Sequence, residues 1–260
     1  MKVVLGGARG SFPVSGEDQA RYGGDTFSLL IQCKKGDQVL VDAGSGVRKL
    51  KGLLHPGGTL FFTHTHLDHL VGLPMLAKVW PRRMISPRGG LADVLKRVFS
   101  PPVWPVELPG ADYSVPSSPM EIGALRVSWQ EVLHPDGCVS YRVEESATGA
   151  SVVVATDIEW QAMTPQAQAS FAQFAQGADL LIFDSHYLPN EYAAHKGWGH
   201  STWMDAVEAA QQSGAKKIWL MHHAPSRTDA ALDAMALEAA AVFQGAVFPT
   251  VEQVTEILHE

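Results

Sequence analysis

Three histidines and an aspartate stand within six residues, directly after an apolar segment. The segment reads Phe61-Phe62-Thr63-His64-Thr65-His66-Leu67-Asp68-His69. Residues 59–62 have the character of a strand, so the imidazoles of His64 and His66, two positions apart on extended chain, project to the same side. Apolar residues from position 67 onward predict a helix start, where the helix dipole favours an ionised Asp68. Imidazole and carboxylate ligands together suit zinc, manganese or iron rather than magnesium or calcium.

A histidine that stands alone in a sequence is more often a structural side chain than a metal ligand. Here four potential ligands fall within six positions next to a predicted buried strand. Because unpaired polar groups are costly to bury, a purely structural interpretation explains this crowding poorly. The segment therefore predicts a metal site.

Composition limits the class of protein. With 260 residues, 46% of them hydrophobic, the chain can bury a large core as one domain or as two fused half-domains. Its formal net charge of -7 argues against general binding to long nucleic acid. Cys33 and Cys138 lack the spacing of a thiolate metal site or a disulfide framework. Neither a signal peptide nor a membrane-spanning segment is recognisable, so we expect a cytoplasmic protein without a membrane partner.

Residues 78–100 carry an excess of positive charge. The basic residues are Lys78, Arg82, Arg83, Arg88, Lys96 and Arg97. A solvated face explains them without any function, and the alternative is a rim that attracts phosphate. A proline-rich stretch around residues 100–119 follows, and it is predicted to be a surface loop or a lid because proline interrupts helices and central strands.

Hydrophobic runs and glycine turns predict the order of strands and helices. Strands are expected at 2–5, 28–33, 38–41, 125–132, 139–143, 151–155, 180–183 and 217–221. Helices are expected after the histidine segment and at 91–99, 165–176, 202–213 and 229–242. This order favours an α/β protein in which two sheets pack together with helices outside, as a single domain over residues 1–260.

Three further candidate ligands each follow a predicted strand. They are His134, Asp157 and His222, and His223 stands next to the last of them. Loops that leave a rigid strand are the usual place for site residues. Each candidate is weak when taken singly, but their recurrence in the same context indicates one joint site.

The sequence resembles the metallo-β-lactamase superfamily, through the histidine segment followed by His134, Asp157 and His222 in that order. The resemblance implies an αββα sandwich of two mixed sheets with two divalent metal ions at one edge, zinc foremost and manganese or iron as alternatives. It implies that one ion is held by His64, His66 and His134. It implies that the other is held by Asp68, His69 and His222, and that Asp157 bridges the two.

Two assignments at this site follow from position. His222 is preferred to His223 because it is the first residue after the strand, where the superfamily has its last ligand. His223 is then expected to support the ligands or to contact substrate. Asp42, in the segment Val41-Asp42-Ala43-Gly44, matches the early aspartate that in this superfamily orients the ligand histidines from behind.

The order Asp157, Leu181-Ile182-Phe183-Asp184, Gly197-Trp198-Gly199-His200-Ser201-Thr202 looks like the phosphodiesterase branch, which includes ribonuclease Z and small cyclic-phosphate phosphodiesterases. The resemblance implies that His200, oriented by Asp184, is a catalytic proton donor. Alternatively, Ser201 or Thr202 caps a helix and His200 has no role. The flanking His186 and His195 receive no role.

Two departures narrow the expected substrate. Ribonuclease Z enzymes carry a long basic arm that grips tRNA, and neither the stretch between His134 and Asp157 nor the one between Asp184 and His200 has room for it. We therefore expect tRNA not to be the substrate. Secreted β-lactamases have no aspartate used in the manner of Asp68, which disfavours antibiotic hydrolysis.

These observations predict a dinuclear metal-dependent hydrolase. We expect a phosphodiesterase that acts on a small phosphate ester, cyclic esters included, through a hydroxide that bridges the two metals and is oriented by the catalytic Asp68. The alternative is a thioester or lactone hydrolase of the glyoxalase II or lactonase type, and a further alternative is a metal-dependent sensor without turnover. The substrate contacts cannot be assigned, and Trp80, Trp104 and Trp198 could line either a pocket or a homodimer interface.

Overall fold

The computed structural model describes residues 1–115, 117–251 and 253–257, which form two β-sheets. The first sheet contains β1 (Lys2–Gly7), β2 (Ser28–Gln32), β3 (Gln38–Val41), β4 (Thr59–Phe61), β5 (Arg83–Ile85) and β13 (Val254–Glu256), in the order β13-β1-β2-β3-β4-β5. The second contains β6 (Met120–Ile122), β7 (Leu125–Val132), β8 (Cys138–Glu145), β9 (Ser151–Ala155), β10 (Leu180–Asp184), β11 (Ile218–Met221) and β12 (Ala246–Val247), in the order β12-β11-β10-β9-β8-β7-β6.

Six α-helices in the described residues flank the sheets. They are α1 (Val47–Leu50), α2 (Leu67–Leu70), α3 (Leu91–Val98), α4 (Pro165–Phe174), α5 (Trp203–Ser213) and α6 (Asp229–Val242). The first three lie over the first sheet, and the last three lie over the second.

Strand β9 shows why the layers form in this way. All five of its residues are buried, as expected for a strand that is covered on both faces. Val152 and Val154 pack into the apolar core between the two sheets, whereas Val153 and Ala155 pack against the outer helices of the second sheet. The predicted α/β class and αββα sandwich are therefore confirmed.

Parallel strand pairs collect the candidate site residues at one edge of the sandwich. Strands β3, β4 and β5 run parallel in the first sheet, and β9, β10 and β11 run parallel in the second. Loops that leave the carboxyl ends of neighbouring parallel strands meet at the same edge of a sheet. The carboxyl ends of β3, β4, β9, β10 and β11 and the loops after them carry the aspartates and histidines singled out in the sequence, except His134, which lies in the turn between the antiparallel strands β7 and β8.

The longer predicted strands and helices agree with the structure to within two residues at each end. The α-helices and strands absent from the prediction are α1 and the four strands β5, β6, β12 and β13, each two to four residues long. Segments so short carry no readable hydrophobic period. No helix in the described part of the chain has the length and apolar character needed to cross a membrane.

The proline-rich stretch forms no helix or strand in its described residues, and Pro116 lies outside them. The ring of Trp104 packs edge-on against Phe99, with 5.7 Å between the centroids. Leu108 and Tyr113 are partly buried against the apolar layer beneath α3. The stretch is thus a loop packed on the first sheet's helical layer, and its action as a lid stays a prediction.

Candidate metal centre

The first group of potential ligands is the three-histidine cluster, formed by His64, His66 and His134. His64 and His66 come from the loop after β4, and His134 comes from the turn after β7. The Nε2 atom of His134 lies 3.2 Å from Nδ1 of His66, and one nitrogen from each ring falls within 4.8 Å of the others. Three imidazoles from both sheets therefore converge on one point.

The second group is the aspartate cluster, formed by Asp68, His69 and His222. Oδ2 of Asp68 lies 3.4 Å from Nε2 of His69 and 3.3 Å from Nε2 of His222. The first two residues lie on α2, whose short first turn is directly preceded by His66. His222 is the first residue after β11, and its ring stacks on that of His69 at 5.5 Å.

Asp157, the second residue after β9, lies between the two clusters. Its Oδ1 atom is 3.8 Å from Nε2 of His64 and 3.9 Å from Nε2 of His134. Its Oδ2 atom is 3.2 Å from Nε2 of His69 and 3.3 Å from Nε2 of His222. One oxygen of this carboxylate thus faces each cluster, so a single side chain can contact ions in both.

Hydrogen bonding inside the protein leaves these inward-facing atoms without partners. Nε2 of His64, His69 and His222 and Oδ2 of Asp157 are buried and make no hydrogen bond. A buried polar atom without a partner costs about 1–3 kcal/mol, so a cluster of four requires an explanation. Imidazole nitrogens and carboxylate oxygens aimed at common points fit divalent transition-metal ions.

Burial and charge set the protonation of the ligands differently in the two clusters. Burial lowers the pKa of His64 well below its usual value, and the neighbouring histidines add to this effect. Burial also acts to lower the pKa of His69, but Asp68, Asp157 and Asp42 outweigh it and raise that pKa well above its usual value. The carboxylates thus favour a proton on His69, whereas burial favours the neutral form of His64.

Partners behind the ligands fix which nitrogen faces inward. Nδ1 of His69 donates to Oδ2 of Asp42 over 2.8 Å, and Asp42 also accepts from the backbone N–H and the hydroxyl of Thr63, at 2.8 and 2.7 Å. Nδ1 of His134 donates to the carbonyl of Gly199 over 2.8 Å. Such bonds orient an imidazole and leave Nε2 free for a metal.

His200 lies beside the clusters with its ring stacked on that of His222 at 5.0 Å. Its Nδ1 atom is 2.8 Å from Oδ2 of Asp184, which is fully buried at the end of β10. Asp184 also accepts from the backbone N–H groups of Asp157, His186 and Ser201 at 3.0–3.1 Å. Burial acts to lower the pKa of His200, but Asp184 outweighs it and raises that pKa to about 9.

The helix-capping interpretation of the segment after His200 is also seen. Thr202 caps α5, exchanging hydrogen bonds with Asp205 in a capping box. The Ser201 hydroxyl instead donates to the carbonyl of Ile158. Capping therefore accounts for Thr202 and leaves the pairing of His200 with Asp184 to be explained separately.

His223 lies away from the ligand groups. Its ring is fully buried, stacked on Phe248 at 5.3 Å and edge-on to Tyr22 at 6.3 Å. Contact with substrate, one of its two expected roles, is incompatible with this burial. Its backbone N–H donates to the carbonyl of Ala8, which helps to hold the loop that His222 begins.

Three residues without an expected role also contact the site. The backbone N–H of Ser11 donates to Oδ2 of Asp68 over 2.8 Å. The ring of His186 stacks on His200 at 4.4 Å, and its Nδ1 donates to the carbonyl of His222 over 2.8 Å. Buried Glu159 accepts from the backbone N–H of Gly199, whose carbonyl orients His134. From the sequence, only His186 could have been assigned to the site, because it lies near the His200 segment.

Part of the basic region reaches the rim of the site. The guanidinium of Arg88 lies against the backbone of Gly137, in the turn that begins at His134, and is 3.3 Å from Oε1 of Glu131. Arg83 instead pairs with Asp112 at 3.4 Å, among half-exposed side chains on the far side of β5 from β4. The solvated-face interpretation thus suits Arg83, whereas Arg88 contacts the turn that carries His134.

Three residues of the site have left-handed backbone. The φ angles of Asp42, Asp157 and His222 are 55°, 56° and 62°. This region is unfavourable for residues other than glycine, although aspartate tolerates it better than most. Asp42 and His222 are the first residues after their strands and Asp157 is the second, so all three turns lie at the sheet edge where the ligands meet.

Known proteins with similar sequences and folds were found by comparison. A family model described as "Beta-lactamase superfamily domain" matches residues 37–223. A ribonuclease Z from Lachnoclostridium phytofermentans is 26% identical, over 88% of this chain and 89% of the relative. A ribonuclease Z from Haloarcula marismortui is 24% identical, over 95% and 93%.

Solved structures share the fold at lower identity. The metallo-beta-lactamase fold protein YhfI from Bacillus subtilis has a TM-score of 0.74 and 21% identity, over 98% of both chains. A diphosphatase from the PhnP family has a TM-score of 0.71 and 18% identity, over 99% of this chain and 98% of that one. The chain therefore belongs to the metallo-β-lactamase superfamily, and its similarities are to that superfamily's phosphodiesterase branch.

Proposed function

We propose that this chain is a phosphodiesterase that uses two divalent transition-metal ions, zinc foremost, and acts on a small phosphate ester. The relatives named ribonuclease Z and the neighbour named a diphosphatase support phosphate-ester chemistry, on nucleic acid or on a small ester. The observation that carries the proposal is the hydrogen-bonded pair of partly exposed His200 and fully buried Asp184 beside the ligand clusters. A thiolate is a weakly basic leaving group that needs no proton, so the pair gives no advantage in thioester hydrolysis. Lactone opening also releases an alkoxide, and only a direct assay separates it from diester cleavage.

The chain's own residues would hold the ions in the two clusters, with Asp157 in contact with both. Divalent ions bound there supply Lewis acidity toward water and toward a phosphoryl oxygen. Asp68, fixed by the backbone N–H of Ser11, has a carboxylate placed to orient an attacking water. The pKa of Asp68 is lowered below its usual range because His69 and His222 outweigh the effect of burial, so it accepts hydrogen bonds at neutral pH.

His200 has the protonation state that a proton donor needs. Its Nδ1–H is held by Asp184, which leaves Nε2 to face a substrate. A pKa of about 9 keeps the imidazole protonated at neutral pH, and bound cations would bring this pKa back toward neutrality by repulsion. An alkoxide leaving group is a strong base, so its departure from phosphorus is assisted by a proton from Nε2.

Several features of the proposed substrate and assembly rest on the sequence alone. A net charge of -7 favours a small ester over tRNA, and the exclusion of tRNA stays a prediction. The homodimer also stays a prediction. Thioester or lactone hydrolysis on the same ligands is the chemical alternative that an experiment must separate.

The test is hydrolysis of bis(p-nitrophenyl) phosphate by chelator-treated protein reloaded with zinc or with manganese, next to thioester, lactone and precursor-tRNA substrates. We expect metal-dependent cleavage of this diester. Because p-nitrophenolate is a weak base that leaves without a proton, the proton-donor role is tested on a diester with an alkoxide leaving group, a 2′,3′-cyclic nucleotide. On that substrate His200→Ala should lower kcat by roughly 10²–10⁴-fold with the metal content unchanged. His55→Ala, at an exposed histidine, is the matched control. Thioester or lactone turnover without diester cleavage would refute the proposal, and metal loss in His200→Ala would refute the proton-donor role.

A further inference from the structure

Trp198 is exposed next to the candidate metal centre. Of the seven tryptophans in the chain, all of which the structure describes, it alone is exposed, at 62%. Two residues later comes His200, and the carbonyl of the intervening Gly199 accepts the hydrogen bond that orients His134. A large apolar side chain exposed at such a place calls for an explanation other than core packing.

The loop that carries Trp198 is held rigidly. Buried Glu159 accepts from the backbone N–H of Gly197 over 2.6 Å and from that of Gly199 over 2.9 Å, one on each side of the tryptophan. The two glycines have φ angles of 87° and 88°. A Cβ atom on Gly199 would lie only 2.2 Å from Nδ1 of His134, so the loop fits closely against a ligand.

A column of rings connects the indole to the catalytic histidine. Trp198 meets the ring of His195 edge-on at 5.1 Å, and His195 stacks on Tyr187 at 4.6 Å. Tyr187 in turn lies edge-on to His200 at 5.9 Å. The indole of Trp198 is thus held by its contact with the His195 ring, while most of its surface stays open to solvent.

Other exposed apolar side chains adjoin the ligands in the sequence. Leu67, 58% exposed, lies between two ligands, and Leu133, 44% exposed, directly precedes His134. Exposed apolar side chains thus occur on three of the segments that carry the site residues. Apolar surface of this kind favours a substrate with an uncharged flat group over a polyanion.

We propose that Trp198, held by Glu159, is a substrate-binding residue that stacks on the aromatic group of the phosphate ester, a nucleobase or an aryl ring. This inference rests on the proposed phosphodiesterase function and names the substrate class. Stacking of a base on an aromatic side chain is sequence-tolerant and corresponds to about a tenfold gain in affinity, which is ~1.4 kcal/mol. The substrate would then carry one flat aromatic substituent on its phosphate.

The experiment compares two diesters with the same leaving group, thymidine 5′-(p-nitrophenyl phosphate) and methyl p-nitrophenyl phosphate, on the metal-loaded full-length protein. We expect kcat/KM to be about tenfold higher for the thymidine ester. Trp198→Ala should reduce this ratio toward one through KM, and Trp198→Phe should keep most of it. Leu237→Ala, at a 76% exposed leucine on α6, is the matched control and should keep the ratio.

Binding without turnover gives a second readout. Thymidine 5′-monophosphate should quench the tryptophan fluorescence of the protein, methyl phosphate should not, and Trp198→Ala should abolish the quenching. Equal cleavage of the two esters would overturn the inference and leave the proposed function intact. Failure to cleave either ester would overturn the proposed function. If the protein is a dimer and Trp198→Ala makes it monomeric, the indole belongs to a subunit interface and the inference is overturned.

Discussion

The three-histidine cluster and the aspartate cluster share Asp157 but differ in burial and charge. The side chain of His66 is 41% exposed, whereas that of His69 is fully buried. Near the three-histidine cluster, the oxygens of buried Asp157 and exposed Asp136 lie 3.8–3.9 Å from the imidazole nitrogens. Near the aspartate cluster, the buried oxygens of Asp68 and Asp157 lie at only 3.2–3.4 Å. An ion gains more from closer, less hydrated charges. We therefore expect the aspartate cluster to bind its ion more tightly and the three-histidine cluster to exchange its ion faster.

The largest expected effect comes from the residue that the two clusters share. Asp157→Asn removes the charge that faces both, so both affinities should fall by more than the roughly 10–100-fold typical of a supporting residue. Metal analysis after dialysis measures the loss. Asp136→Asn is the matched control, because Asp136 also has left-handed backbone and lies 3.8 Å from His66 but is 93% exposed. If Asp157→Asn retained both ions, the residue would not be shared.

Asp42 provides a way to weaken one cluster selectively. Asp42→Asn keeps an oxygen for the Thr63 backbone but replaces the carboxylate that holds His69. We expect affinity at the aspartate cluster to fall by roughly 10–100-fold and affinity at the three-histidine cluster to change much less. Competition with a chromophoric chelator would give the two constants separately. An equal fall in metal affinity at both clusters would show that Asp42 does not act mainly on the aspartate cluster.

The smallest expected effect is a difference in pH dependence. His69 of the metal-free protein has a raised pKa, so an ion that binds its Nε2 must displace a proton. Below that pKa, affinity at the aspartate cluster should rise by about tenfold per pH unit. His64 has a lowered pKa and carries no proton to displace at neutral pH. Calorimetry at pH 7 in buffers of different ionisation enthalpy should show that protons are released mainly when the tighter ion binds. Proton release mainly on binding of the weaker ion would contradict the assigned difference between the two clusters.

Most of the fold could be predicted from hydrophobic patterning, because its long strands are buried on both faces or alternate clearly. Strand β9 reads as an unbroken apolar run for this reason. The two-residue strand β12 and the three-residue β13 could not be predicted, since their place in the sheets is set by pairing with distant strands. Burial of β5 between β4 and the proline-rich loop is likewise a tertiary effect.

Less of the site could be predicted from the residues themselves. The spacing of His64 and His66 indicates that they bind the same ion. No neighbouring residue indicates that Asp157, which comes from the other sheet, lies beside them. That assignment came from the resemblance to a known family. Glu159 could not be found at all, because two of its partners are backbone N–H groups 38 and 40 positions away and the third is the Tyr192 hydroxyl, 33 positions away. Contacts made to backbone groups are invisible to any argument from side-chain type.

The left-handed backbone of Asp42, Asp157 and His222 places stability and activity in opposition. Glycine would adopt these φ angles without the steric cost of roughly 1–2 kcal/mol per residue, so glycine at any of the three would make the turn easier to form. It would also delete a ligand or the residue that supports one. A screen of this protein for thermal tolerance alone would therefore tend to select glycine at these turns and to discard the metal centre. Selection for stability is safe here only when ion binding is selected at the same time.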